Sequence, residues 1–225
     1  MEIRFLGHAC LSIESKGKHL IVDPFISGNE LAKHIDIDSL EADYILITHA
    51  HQDHVLDVER IAERTGATIV SNFEIVEYYT KKGFKGHPMN FGGSWEFDFG
   101  LLHYLQAQHS SVFADGTYGG NPGSFVLEGE SKNIYIAGDT ALSMDMKLIP
   151  LFTKLDLAVL PIGDNFTMGI KQALMAAEFV NCNRVLAYHY DTFGYIVLDK
   201  ELAKSSFNLK DKELILLEVG DYIEA

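Results

Sequence analysis

Tyr44-Ile45-Leu46-Ile47-Thr48-His49-Ala50-His51-Gln52-Asp53-His54 passes directly from an apolar run into a cluster of metal-ligand side chains. Residues 44–48 predict a buried strand, and the apolar spacing over residues 55–65 predicts a helix. A strand that ends in a loop presents its polar residues at the edge of a sheet. Four ligand-type residues, His49, His51, Asp53 and His54, within six positions are more than an ordinary polar loop would carry.

This cluster has the residue types and the spacing to hold two cations. His49 and His51, two residues apart in an extended turn, can hold one cation, whereas Asp53 and His54 can face a second. Imidazole and carboxylate together suit Zn²⁺ and also Mn²⁺ or Fe²⁺. The cofactor prediction is therefore two divalent cations, with Zn²⁺ as the first choice.

Two cations need further ligands, and three later strand ends supply candidates. His109, Asp139 and His189 each follow an apolar run directly. Taken alone, either histidine could be a packed or loop residue, and Asp139 could cap a helix after a strand. As a series behind the first cluster, all three are predicted to be ligands.

The rest of the chain indicates one domain over residues 1–225. Short apolar strands alternate with helical segments, and no Pro/Ser-rich linker divides them. A β-rich first half followed by a similar second half predicts an α+β fold in which helices cover two sheets. Residues 144–155 are predicted to be helical, and residues 86–90, around Pro88, are predicted to be a loop.

The composition indicates in which compartment the protein is expected and which classes of partner it can bind. The formal net charge is −14 and no Lys/Arg cluster stands out, which argues against broad nucleic-acid binding. The apolar runs are too short to cross a bilayer, and residues 1–7 lack the apolar core of a signal peptide, so we expect a cytoplasmic protein without a membrane partner. Cys10 and Cys182 are expected to be unpaired buried thiols. A homo-oligomer is compatible with the sequence.

Residues 48–54 resemble the H-x-H-x-D-H signature of hydrolases with the metallo-β-lactamase fold. His109, Asp139 and His189 appear in the order of that family, and Asp23 in Val22-Asp23-Pro24 matches its early strand-end aspartate. Within the superfamily, the short length, Gly7-His8-Ala9 and residues 166–169 are similar to the UPF0173-like group of metal-dependent hydrolases, which is related to L-ascorbate-6-phosphate lactonase. The resemblance covers nearly the whole chain.

The resemblance implies a fold and a ligand set. The fold would be an αβ/βα four-layer sandwich, two mixed β-sheets flanked by helices, with the site at one edge of the sheets. The first metal would be held by His49, His51 and His109, and the second by Asp53, His54 and His189, with Asp139 bridging them. Asp23 would hold the metal loop by hydrogen bonds without touching metal.

The expected chemistry is hydrolysis of an ester, lactone, amide, thioester or phosphoester in a small-molecule substrate. Two close cations lower the pKa of a shared water, so that hydroxide is available at neutral pH. Asp53 would orient this nucleophile and move its proton while remaining a ligand. The alternatives are a nuclease of the same fold, a non-catalytic metal-binding domain and, more weakly, a di-iron redox protein; the di-iron variant typically carries Glu in place of His51.

Four further features are candidates for the site. His8, beside Gly7 and Ala9, is a catalytic candidate that could donate a proton to the leaving group or contact substrate, and it could equally be a structural histidine. Asn165 and Thr167 are candidates for the substrate pocket, although they could instead form a capping loop before the helix at Ile170. The glycine-rich residues 116–123 could form a mobile rim of the pocket.

Overall fold

The computed structural model describes residues 1–225 and contains two seven-stranded sheets. In chain order, the strands of the first sheet are β1 (Glu2–Gly7), β2 (Cys10–Ser15), β3 (Lys18–Val22), β4 (Tyr44–Leu46), β5 (Thr68–Asn72), β6 (Gly86–Met89) and β14 (Tyr222–Glu224). Those of the second are β7 (Ser94–Phe97), β8 (Gly100–Gln106), β9 (Gly123–Glu128), β10 (Asn133–Ile136), β11 (Leu157–Pro161), β12 (Arg184–Tyr188) and β13 (Glu213–Ile215). The first sheet has the strand order β14-β1-β2-β3-β4-β5-β6, and the second has the order β13-β12-β11-β10-β9-β8-β7.

The two sheets are built alike. In the first, β14, β1, β2 and β3 pair antiparallel in succession, and the pairs from β3 to β6 are parallel. In the second, β7 to β10 pair antiparallel, and β10 to β13 are parallel. Both sheets are therefore mixed, as the resemblance to the metallo-β-lactamase fold implied.

Helices cover the outer face of each sheet, and this confirms the predicted four-layer α+β sandwich. They are α1 (Gln52–Val55), α2 (Val58–Thr65), α3 (Phe73–Thr80), α4 (Ile170–Phe179) and α5 (Lys200–Asn208), with 3₁₀ turns at Glu30–Ala32, Ile37–Ser39 and Met144–Leu151. Apolar residues of α2 and α3 pack against the first sheet, and those of α4 and α5 pack against the second. A third apolar cluster, which includes Phe5, Leu46, Tyr104 and Leu186, fills the space between the sheets.

The strands differ in burial according to what covers their faces. All five residues of β11 are buried, because the opposite sheet covers one face and helices cover the other. Along β8, buried and half-buried residues alternate, as expected for a strand nearer the sheet edge. None of the helices has both the length and the apolar character needed to cross a bilayer. Cys10 and Cys182 are free and buried, as predicted.

The structure corrects three predicted elements. Residues 55–65 are not one helix, because α1 ends before Asp57, whose carboxylate turns inward to accept hydrogen bonds from the backbone of Ile26 and Ser27. Residues 144–155 form a 3₁₀ turn at Met144–Leu151, with Pro150 inside it. Residues 86–90 contain the strand β6 rather than a loop; as an edge strand, β6 tolerates Pro88, which lacks an N–H.

Candidate metal centre

The candidate site lies where strands of both sheets end at one edge of the sandwich. His8 follows β1, Asp23 follows β3, Asp139 comes shortly after β10 and His189 follows β12. The backbone at His8, Asp23 and His189 is left-handed, with φ values of 55°, 44° and 56°. Such a conformation is uncommon outside glycine and costs about 1–2 kcal/mol per residue. Its recurrence at three strand ends turns their side chains toward a common space.

A close approach of the two sheets fixes the position of Asp139. Gly138, just before it, has a φ of 64°, and a Cβ atom there would lie 2.7 Å from the Gly123 carbonyl oxygen and 2.9 Å from Thr48 Cβ. Only glycine fits both the conformation and the space. Asp139 is thereby held against the end of the strand that carries the histidine-rich loop.

The first group of ligand atoms belongs to His49, His51 and His109. Their ring nitrogens lie within 4.8 Å of one another, and His49 Nε2 is 3.0 Å from His51 Nδ1. The His109 ring lies 5.1 Å from the His49 ring and 5.0 Å from the His51 ring, measured between centroids. The structure thus brings together the three histidines predicted for the first metal.

The second group contains Asp53, His54 and His189, together with His8. One potential ligand atom from each of these four residues lies within 4.8 Å of the others. His54 and His189 are buried, whereas Asp53 is partly exposed toward solvent. The three residues predicted for the second metal therefore also come together, and His8 joins them.

Asp139 lies between the two groups. Its Oδ2 atom is 3.0 Å from His189 Nε2, 3.4 Å from His54 Nε2, 3.5 Å from His109 Nε2 and 4.0 Å from His49 Nε2. One carboxylate oxygen therefore faces two histidines of each group. This is the placement expected of a group that bridges two cations.

Unpartnered polar atoms show that these residues fit a bound metal. His54 Nε2, Asp139 Oδ1 and both ring nitrogens of His189 are buried and make no hydrogen bond within the protein. His189 Nε2 is close to Asp139 Oδ2, yet the two are not aligned as a hydrogen bond. Because buried polar groups are normally satisfied, atoms that converge without pairing point to a missing partner. Imidazole nitrogen and carboxylate oxygen are the donors that Zn²⁺ and similar ions bind.

Asp23 orients one histidine of each group. Its Oδ1 accepts the Thr48 N–H at 2.8 Å, and its Oδ2 accepts the Thr48 hydroxyl at 2.6 Å and His54 Nδ1–H at 2.9 Å. Since the Thr48 hydroxyl donates to Asp23, it accepts from His49 Nδ1, which is 2.9 Å away. Both imidazoles therefore use Nδ1 for this network and keep Nε2 for the metal space. One carboxylate oxygen of Asp23 also lies within 4.8 Å of a ring nitrogen of His49 and of His54. Both Asp23 oxygens, however, already accept hydrogen bonds.

His8 is buried rather than presented to the cavity. Its Nε2 is 3.0 Å from Asp53 Oδ2, and its Nδ1 is 2.9 Å from Thr192 Oγ1. Burial lowers the pKa of His8 to about 4, so the ring is neutral near pH 7. An ionised Asp53 can only accept, so Nε2 donates to it and Nδ1 accepts from Thr192. This placement disfavours His8 as the proton donor to a leaving group and favours a role in positioning Asp53.

In the metal-free site, burial and neighbouring charges give the histidines different protonation states. Burial lowers the pKa of His49, His51 and His109, so they are neutral and ready to act as ligands. Burial acts in the same direction on His54, but Asp139 and Asp23 outweigh it and raise its pKa. Burial would raise the pKa of Asp139, yet the neighbouring His189 and His54 hold it well below its usual value. A proton on His54 must therefore leave when a metal binds there.

A cavity of about 940 Å³ opens above the two groups. His51, Asp53, His109, Asp139 and His189 form its floor. Four aromatic residues contribute to its walls: Phe25, Phe166, Phe193 and Tyr195. This size suits a small molecule, and it places such a molecule directly against the ligand cluster.

The cavity corrects the predicted pocket residues. Phe166 lines the cavity, whereas its neighbours Asn165 and Thr167 do not. The left-handed backbone at Asp164 and Asn165 turns the Phe166 ring toward the cavity wall. The capping alternative also fails, since Gly169 is the N-cap of α4 and no side chain caps it. The aromatic residues of the 193–195 segment were missed, because a loop sequence does not reveal where the loop docks.

The glycine-rich residues 116–123 do not form a rim of this cavity. Asn72 Nδ2 donates to the carbonyl oxygens of Gly119 and Asn121, and the Ser111 hydroxyl also donates to Gly119. The Ser111 oxygen in turn accepts the Ala50 N–H at 3.1 Å. The segment therefore supports the loop of His49 and His51 from behind, where glycine permits close packing.

Comparison with known proteins identifies the family. Residues 2–189 match the sequence profile of the beta-lactamase superfamily domain. The chain belongs to this superfamily. Members of the superfamily named UPF0173 metal-dependent hydrolase are 64% identical over 224 residues in Flavobacterium johnsoniae and 45% identical over 229 residues in Bacillus subtilis. In both cases the match covers 100% of each chain.

A solved structure has nearly the same fold. The structure of a metallo hydrolase from the hyperthermophilic archaeon Ignicoccus hospitalis is 32% identical and superimposes with a TM-score of 0.89. The match covers 99% of this chain and 97% of the other. Together with the sequence relatives, it places the chain among the metal-dependent hydrolases of the superfamily.

Proposed function

We propose that this metal-dependent hydrolase uses two divalent cations, Zn²⁺ first among them, to cleave an ester, lactone, amide or phosphoester bond in a small molecule. The observation that carries the proposal is the position of Asp139 Oδ2, 3.0–4.0 Å from histidines of both groups. His49, His51 and His109 would hold one cation, Asp53, His54 and His189 the other, and Asp139 would contact both. When bound, the cations supply Lewis acidity, which lowers the pKa of water and polarises the substrate oxygen.

The residues around the cations would position and move a proton. Burial opposes ionisation of Asp53, but the hydrogen bond from His8 and the charge of His54 outweigh it, so the pKa of Asp53 is lowered. Asp53 is therefore a carboxylate at neutral pH. Its Oδ2 is held by His8, which leaves Oδ1 to accept the proton of the attacking water. Because Asp53 lines the cavity, this proton transfer would occur beside the substrate.

The alternatives receive less support from the site. A nuclease needs cationic side chains along its substrate, and no Lys or Arg lines the cavity. A non-catalytic relative would be expected to have lost ligands, whereas all seven predicted ligand positions are filled and brought together in this chain.

Metal removal tests the proposal directly. We expect about two metal ions per chain by elemental analysis, and hydrolysis of 4-nitrophenyl acetate or bis(4-nitrophenyl) phosphate that chelation abolishes. His51→Ala should lower kcat/KM by more than about 100-fold, beyond the loss typical of groups that only orient a ligand. His19→Ala removes a half-exposed histidine paired with Glu41 and serves as the control. Metal-loaded, folded protein that hydrolyses neither ester nor phosphodiester probes would contradict the proposal.

A second variant tests the positioning role of His8. Asparagine tolerates the left-handed backbone at this position but is too short to keep both ring hydrogen bonds. His8→Asn should lower kcat by about 10–100-fold, because Asp53 loses its donor, while KM changes little. Metal content and thermal stability are measured on the same preparation. An unchanged kcat at full metal content would show that His8 contributes only to packing and does not position Asp53 for catalysis.

A further inference from the structure

The walls of the cavity differ sharply from its floor. Phe25 and Phe193 lie with their ring centroids 6.2 Å apart and their planes tilted by 47°, and both lie beside His8. Nearer the mouth, Phe166 and Tyr195 are also 6.2 Å apart, in an edge-to-face arrangement. The floor holds the histidines and carboxylates, whereas the walls present aromatic rings.

The segment that carries two of these rings is fixed in place. Thr192 is tied to His8, and Asp191 N–H donates to the Ile196 carbonyl oxygen at 2.8 Å. The side chain of Ile196 is fully buried and anchors the segment. Phe193 is nevertheless 38% exposed and Tyr195 77% exposed. Exposed aromatic rings on an anchored segment beside a cavity are typical of surfaces that bind apolar groups.

The cavity offers no cationic side chain to pair with an anion away from the floor. No Lys or Arg lines it. Lys200, which follows the segment in sequence, is instead paired with Asp191 and Glu218. An anionic tail placed between these rings would lose its hydration without gaining a cation, which is costly.

We infer that the substrate presents an uncharged, apolar group, an acyl chain or an aromatic ring, to Phe25, Phe166, Phe193 and Tyr195, and carries no anionic group beyond the bond that is cleaved. This inference rests on the proposed function, which makes the floor of the cavity the place where the bond is cleaved. It excludes substrates that carry a phosphate or carboxylate on the part that contacts the walls. It favours esters, lactones or amides with apolar substituents.

Two fluorescent probes that differ by one charge test the inference without turnover. N-Phenyl-1-naphthylamine is neutral, and 8-anilino-1-naphthalenesulfonate is the same ring system with a sulfonate. Titrated into the Zn²⁺-loaded protein, the neutral probe is expected to bind at least about tenfold more tightly, because burial of its rings is not opposed by desolvation of a charge. Equal affinities, tighter binding of the sulfonate or no binding of the neutral probe would overturn the inference.

Variants locate the probe. Phe193→Ala should weaken binding of the neutral probe by about tenfold through loss of a ring from the wall. Phe166→Lys, at a 52% exposed position where folding is not at risk, should bring the two affinities closer by adding a cation. Phe152 is 46% exposed and lies beside a different apolar cavity, so Phe152→Ala and Phe152→Lys are matched controls. A response to the Phe152 variants instead would assign the probe to that cavity and overturn the inference.

The outcome is separable from that of the proposed function. If the protein shows chelator-sensitive hydrolysis but does not prefer the neutral probe, only the inference about the substrate is overturned. If the protein prefers the neutral probe but shows no metal-dependent hydrolysis, the proposed function is overturned.

Discussion

Asp139→Asn is expected to lower kcat/KM by at least about 1,000-fold, equivalent to about 4 kcal/mol of transition-state stabilisation. Asparagine has nearly the same shape, so the change removes a charge and leaves the packing intact. Oδ2 of Asp139 is the atom that faces histidines of both groups, and an amide there would neither neutralise nor contact the two proposed cations. We expect the protein to retain no more than one metal ion per chain.

The measurement combines elemental analysis with steady-state kinetics on the same preparation. Asp98→Asn is the control, because Asp98 is an exposed aspartate in the turn before β8, at the end of that strand away from His109. Circular dichroism confirms that each variant is folded. If Asp139→Asn kept two metal ions per chain and unchanged turnover, Asp139 would not be a metal ligand.

Asp23→Asn is expected to weaken both proposed metal sites, although Asp23 is a proposed ligand of neither. Asp23 is fully buried and accepts three hydrogen bonds, two from Thr48 and one from His54. Asparagine keeps the left-handed backbone but replaces one acceptor with a donor, which then faces another donor. His54 loses its orienting partner directly, and His49 loses it through Thr48. Metal affinity should fall by about 10–100-fold.

The same change should lower the free energy of unfolding. Breaking a buried, charged hydrogen-bond network costs about 2–4 kcal/mol, which corresponds to roughly 5–12 °C in Tm for a chain of this size. Thermal unfolding is measured in chelator, so that metal binding does not contribute. Metal affinity is measured separately, by competition with a chromophoric chelator.

Asp57→Asn separates the two effects. Asp57 is also buried and accepts two backbone N–H groups and the Ser27 hydroxyl, but no histidine is among its partners. We expect a comparable loss of stability with unchanged metal affinity. If both variants weakened metal binding equally, the effect of Asp23 would be one of general stability and not of ligand orientation.

Much of the site could be predicted because its signals are local. Each predicted ligand follows an apolar run, and strands of one sheet tend to end at the same edge. The sequence therefore indicated which side chains meet, although it contained no distances. The two-sheet arrangement followed in the same way, from the similar order of short strands in the two halves.

The remaining features depend on contacts between distant parts of the chain. The sequence suggested a role for His8 but not its partner Asp53, which is 45 residues away. β6 contains a glycine and a proline, residues typical of loops, and is a strand only because β5 offers a free edge. The walls of the cavity depend on where the 191–196 segment docks, which no periodicity encodes.

The distribution of the ligands along the chain has a consequence for the order in which the protein matures. The residues of the centre extend from His8 to His189, and they are attached to both sheets. A chain that has emerged only through β9 contains the loop of His49 to His54 but lacks Asp139 and His189. Both candidate ligand groups and Asp139 therefore come together only once the two sheets have packed against each other. We expect the full complement of metal to bind last, to a chain that has already folded, unlike small zinc domains that fold only around their ion.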